Sequence, residues 1–193
     1  VKSANIVHGN ALRIDWETVV PKAKLSYILG NPPFVGAMVA TDEQRADLKS
    51  VFGDDASVGV LDFVSAWFMK AARIAHDTCV ACAFVATSSM VQGEQVGLLW
   101  RSLLPLGIRL RFAHRTFRWS NEAKGVAAVH CVIVGFSAME SRPCRLFEYA
   151  DVDGEPHESF PNRLNPYLVD APDVLLGNRS TPICEVPPMR YGN

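Results

Sequence analysis

Between residues 25 and 34 the chain passes from a short apolar run, Leu-Ser-Tyr-Ile-Leu, into Gly30-Asn31-Pro32-Pro33-Phe34, and this junction restricts the fold more than any other stretch. A proline has no backbone N–H and fixes its own φ, and it pushes the residue before it toward extended conformations. Two in succession can neither continue a central strand nor sit inside a helix. The run therefore predicts a buried strand that stops abruptly in a rigid, extended loop.

The segments on either side supply the alternation into which such a strand fits. Residues 5 to 12 (NIVHGNAL) read as a short strand entering a turn. Thr41-x-x-Gln44 is a capping-box pattern, and predicts a helix to about Ser50. Val60, Phe63, Val64, Trp67, Phe68, Ala71 and Ile74 recur at three- and four-residue spacings, which predicts a helix over 59–76 with one apolar face. A buried strand over 79–87, a helix over 93–104 closed by Pro105 and Gly107, and strands over 109–113 and 129–136 complete the pattern. Strands alternating with helices imply parallel crossovers and a sheet covered on both faces, and the last two strands, with no helix between them, an antiparallel pair. The fold class expected is α/β, partly Rossmann-like, with a mixed, mostly parallel sheet and an antiparallel hairpin at its edge. Residues 1–139 would form this unit. From Glu140 on, where eight of the twelve prolines fall, the expectation is an irregular extension over 140–193.

Composition narrows the partners. With a formal net charge of −1, the 193 residues lack the broad positive field of a protein that grips nucleic acid by itself. The longest apolar runs are strand-length, well short of the ~20 residues of a membrane-spanning helix. Five cysteines scattered through apolar stretches argue for a reducing compartment, with the cytoplasm expected. Cys79-x-x-Cys82 has no second ligand pair, so it reads as part of a buried strand and no metal is expected. The chain opens on Val1 without an initiator Met, which suggests a piece of a longer protein.

The Asn-Pro-Pro-Phe junction also carries chemistry. An exocyclic amine on an aromatic ring is a poor nucleophile because its lone pair is delocalised. Two acceptors, each taking one of its N–H groups, favour a pyramidal nitrogen, and they act most strongly when preorganised around the developing positive charge. Asn31 offers a side-chain oxygen and Pro32 a backbone carbonyl, while Pro32 and Pro33 stiffen both. Phe34 offers a flat face on which a flipped base could stack, worth ~1–3 kcal/mol. An isolated Asn-Pro-Pro-Phe is more often a turn with a packed Phe, but here it follows a strand, at the edge where ligands bind in α/β sheets.

With that junction the chain resembles the class I amino-methyltransferases, and its surroundings are similar to the MmeI-like single-chain restriction-modification enzymes. The matching stretches are HGNALRIDW at 8–16, GNPPF at 30–34, LDFVSAWFMKAA at 61–72, FVATSSMVQGEQVGLLW at 84–100 and FAHRTFRWSNEAKGVAAVHCVIVGF at 112–136. LNPYLVDAPDVLL at 164–176 resembles the stretch leading to that family's target-recognition domain. The resemblance implies transfer of a methyl group from S-adenosylmethionine to adenine N6 in double-stranded DNA. Asn31, Pro32, Pro33 and Phe34 would then be catalytic, and Asn10, Ala11 and Asp62 would face the methyl donor. Asn10 in a turn and Asp62 at a helix dipole are equally good structural readings.

The family's glycine-rich donor loop and acidic ribose partner have no counterpart in these residues. The resemblance places them on strands preceding Val1, so this chain is expected to bind donor poorly, to be inactive alone and to leave its first strand free for self-association. The nuclease and target-recognition parts would lie elsewhere in the parent chain. Arg115, Phe117, Arg118, Trp119 and Lys124, between the last two strands, form a local basic and aromatic cluster. They are candidates for phosphate and base contact, or else a solvated loop with an anchoring Trp. A protein-glutamine or RNA amino-methyltransferase, or a non-catalytic scaffold of the same fold, are the competing functions.

Overall fold

A computed structural model describes residues 4–53, 56–119, 129–140, 143–177, 181 and 184–186. Six strands form one mixed sheet: β1 (Tyr27–Gly30), β2 (Ala81–Thr87), β3 (Arg109–Trp119), β4 (Val129–Ser137), β5 (Arg145–Tyr149) and β6 (Pro156–Ser159), in the order β1-β2-β4-β3-β5-β6. β1, β2, β3 and β5 run one way, and β4 and β6 run against them. The helices are α1 (Trp16–Val19), α2 (Asp42–Phe52), α3 (Ser65–Ala75) and α4 (Gly93–Leu103).

The α/β class and the antiparallel β3–β4 pair follow the sequence pattern, and so does α2. There Thr41 accepts from the Gln44 N–H and the Gln44 side chain accepts from the Thr41 N–H, the reciprocal arrangement of a capping box. α4 ends as expected, with Gly107 left-handed at φ 73° beyond Pro105.

Four expectations need correction. Residues 5 to 12 form no strand: Ile6 and Val7 are exposed, and Asn10 to Ile14 close a turn whose carbonyls of Ala11, Leu12 and Ile14 are all taken by Lys70. The helix predicted from residue 59 starts at Ser65, because the Phe63 N–H donates to the Val35 carbonyl and the Asp62 N–H to Gln95 Oε1. The β3–β4 hairpin sits inside the sheet, because β5 and β6, in the stretch read as irregular, add to it beyond β3. Finally, among the described residues nothing covers one face of the sheet beside β1, where Tyr27 and Leu29 stand 71% and 73% exposed.

The opposite face holds the core. Phe68 of α3 meets Phe84 of β2 at 5.2 Å and Phe136 of β4 at 5.4 Å, all three almost fully buried, and α4 adds Val96, Leu99 and Leu103. Each such ring removes some 150–250 Å² from water, which makes this contact the main force holding α3 to the sheet. Cys82 lies in it as a small apolar side chain, its thiol pushed up to about 12 by burial.

On the open face the Phe112 ring lies across Gly135, where a Cβ would meet it at 2.1 Å. Gly135→Ala should therefore lower stability by roughly 1–3 kcal/mol in urea unfolding, through overpacking. Phe112→Ala combined with Gly135→Ala should lose clearly less than the sum of the two single changes; additive losses would show that the ring is not what requires glycine there.

Candidate active site

The parallel strands β1, β2, β3 and β5 present their carboxyl ends along one rim, and Asn31 opens the loop at the first of them. Gly30 precedes it in close contact with the Phe84 ring, which a Cβ at that position would approach to 3.1 Å. Pro32 is buried, Pro33 exposed and Phe34 half-buried. Asn31 itself is exposed, and its side chain has no hydrogen-bond partner among the described residues. It borders a cleft with Trp16, Trp67, Phe84, Pro32 and Pro33.

The far arm of the loop is tied down. Val35 accepts from the Phe63 N–H at 2.9 Å, and the Ala37 N–H donates to Asp62 Oδ1 at 3.1 Å. The second Asp62 oxygen accepts from Ser89 Oγ at 2.5 Å and Thr87 Oγ1 at 3.3 Å, both at the end of β2. Asp62 is 8% exposed, so its carboxylate is held by the protein itself.

Asn10 is engaged in the same sense. Its Nδ2 donates to Asp47 Oδ2 at 2.8 Å and its Oδ1 accepts from the Leu12 N–H at 2.9 Å, so both ends of the amide hold the turn that contains Ala11. Arg13 braces that turn against Asp47 and Glu43, which hold its guanidinium above the usual value, Asp47 foremost. Lys70 of α3 completes it with bonds of 2.9, 3.0 and 2.6 Å to three carbonyls, while lying 5.1 Å from the Trp16 ring centre. Partial burial lowers the Lys70 ammonium from its ordinary value.

The basic cluster takes another form than a loop. Arg115, Phe117, Arg118 and Trp119 belong to β3, and Lys124 lies outside the described residues. Arg115 pairs with Glu148 at 2.6 Å and donates to the Leu168 carbonyl, and Arg118 pairs with Asp153 at 3.0 Å. Phe117 lies in a ring cluster with His114 and Tyr149. His114 stacks on Phe147 at 4.2 Å and bonds the Tyr149 hydroxyl; burial first, then Arg145, lowers its tendency to protonate. It is a packing and hydrogen-bonding residue.

Trp16, Trp67, Lys70, Thr87 and Ser89 were missed as site residues. Periodicity assigned Trp67 to the core face of a helix, and nothing local marks a lysine as the anchor of a turn more than fifty positions earlier in the chain. Among the described residues no group of three His, Cys, Asp or Glu is placed to hold a metal ion, and no helix is long and apolar enough to cross a membrane.

The fold is shared with known proteins. The solved structure of the Type IIL restriction-modification enzyme MmeI in complex with DNA superposes with a TM-score of 0.94 at 52% identity, covering 98% of this chain and 25% of that one. DNA methyltransferase A of Bacillus subtilis (strain 168) is 38% identical over 187 residues, 96% of this chain and 21% of that protein. The chain thus spans about a quarter or less of the relatives it matches. Residues 1–148 match the family described as MmeI, DNA-methyltransferase domain, and the chain belongs to that family.

Proposed function

We propose that this domain transfers a methyl group from S-adenosylmethionine to adenine N6 in double-stranded DNA, within a restriction-modification protein of the cytoplasm. The nuclease and target-recognition parts would lie in other segments of the same protein, the latter reached through residues 140–193. The observation that carries the reading is the Asn31 loop: an exposed amide with no partner among the described residues, stiffened by two prolines, at the carboxyl end of a strand in a methyltransferase fold. One relative is a DNA methyltransferase and the other was solved in complex with DNA, which favours DNA over a protein or RNA substrate.

Asn31 Oδ1 and the Pro32 carbonyl would each accept one N6–H, localising the nitrogen lone pair. That pair forms the N–CH3 bond as the S–CH3 bond breaks, its electrons passing to sulfur. N6 then releases one proton to solvent, leaving the methylated amine neutral. Phe34 would hold the flipped base by stacking. S-adenosylmethionine supplies the electrophilic methyl. The aromatic cleft of Trp16, Trp67 and Phe84 beside Asn31 suits the flat, apolar side of such a donor. Asn10 and Asp62, already engaged within the protein, support the walls of that cleft, with Ala11 in the same turn.

Arg118, with Phe117, Trp119 and Lys124, is assigned to the DNA side. Arg115 joins them in this reading, with its guanidinium already shared between Glu148 and the Leu168 carbonyl.

In the full-length protein, Asn31→Ala should lower kcat by about 100- to 1,000-fold, the loss expected when one preorganised polar group is removed. Digestion of the product should release N6-methyladenine; N4-methylcytosine would refute the base assignment while sparing the rest. Arg118→Ala should reduce the slope of log affinity for duplex DNA against log salt by about 1, as for one phosphate contact. An unchanged slope would leave Arg118 a partner of Asp153 alone.

A further inference from the structure

We propose that Asp62 is a positioning residue for the methyl-accepting site, one that holds the Asn31 loop in its working shape and does not contact the methyl donor. The inference rests on the assignment of Asn31 above and deepens it.

The loop that leaves β1 is anchored at its start by the pairing of Gly30 with Phe84. It needs a second anchor if Asn31 and the Pro32 carbonyl are to stay fixed, and everything that supplies one converges on Asp62. Oδ1 takes the Ala37 N–H, Oδ2 takes the hydroxyls of Thr87 and Ser89, and the Asp62 N–H is held by Gln95 of α4. The next residue adds the bond from the Phe63 N–H to Val35. One side chain thus joins the loop after β1, the end of β2 and the approach to α3.

An ionised carboxylate left unpaired in so buried a place would be strongly unfavourable, whereas charge-assisted bonds to it are short and strong. The three donors therefore have reason to stay where they are. A carboxylate serving the donor would turn an oxygen to the cleft, but both Asp62 oxygens accept bonds from within the protein and the residue is 8% exposed. Displacing a reacting group by about 1 Å costs about 100-fold in rate, so an anchor of this kind can control catalysis without touching substrate.

The full-length protein, assayed with labelled S-adenosylmethionine and duplex DNA, provides the test. Asp62→Ala should lower kcat about 100-fold while the KM for the donor stays within about 2-fold. Asp62→Asn keeps an acceptor for the Ala37 N–H and can donate to the two hydroxyls, so it should recover kcat to within about 10-fold of the parent. Hydrogen exchange in residues 31–37 should be faster in Asp62→Ala and near normal in Asp62→Asn. Three results would overturn the proposal: unchanged kcat in Asp62→Ala, a loss confined to the donor KM, or equal losses in both variants. Should Asp62→Ala fail to fold, Thr87→Val with Ser89→Ala is expected to speed exchange at 31–37 and lower kcat, and no change in either would also overturn it. Exchange is read without activity. Wild-type protein that methylates no DNA, or a fully active Asn31→Ala, would therefore defeat the proposed function and leave the anchoring separately measurable.

Discussion

The packing of the Phe84 ring against Gly30 is the contact on which the site depends. It lies at the carboxyl ends of β1 and β2, where the polypeptide turns out into Asn31. The same ring belongs to the cluster with Phe68 and Phe136, so the height of α3 over the sheet and the start of the loop are decided by one piece of packing. A change in that core would move the rim even though no rim residue had been altered, because close-packed interiors transmit displacement.

Above this apolar base the rim is organised by buried charge. Asp62, Asp47 and Lys70 each sit at the centre of several hydrogen bonds, and each ties backbone segments distant in sequence. Apolar packing alone would tolerate small slips of these loops, whereas a carboxylate or ammonium that has lost a partner does not. The division is physical: the rings bring the elements together, and the charges choose one arrangement of the loops.

Where local pattern carried the information, the sequence could be read. The capping box of Thr41 and Gln44, the stop of α4 at Pro105 and Gly107, and the loop at Asn31 all follow from residues a few positions apart. Where the deciding partner lay far away, local pattern misled. Ile6 and Val7 look like strand residues, yet they stand exposed outside the sheet. Glu148 and Asp153, supplied by a tail that reads as irregular, balance Arg115 and Arg118, so the basic cluster seen in the sequence is largely neutralised in the fold. Asn10 and Asp62 were picked out as important, but their use as internal braces became visible only once Asp47, Ala37 and Ser89 stood beside them.

Among the described residues β1 ends the sheet, with no charged residue among Tyr27, Ile28, Leu29 and Gly30 and no proline within it. Flanked by exposed Tyr27 and Leu29, it lacks the lysines, bulges and prolines with which natural sheets discourage strand addition. Tyr27 and Leu29 are the kind of side chains that a neighbouring strand or domain covers, so the sheet is built to be extended on this side without disturbing the packing of Phe84 and Phe136 on the other.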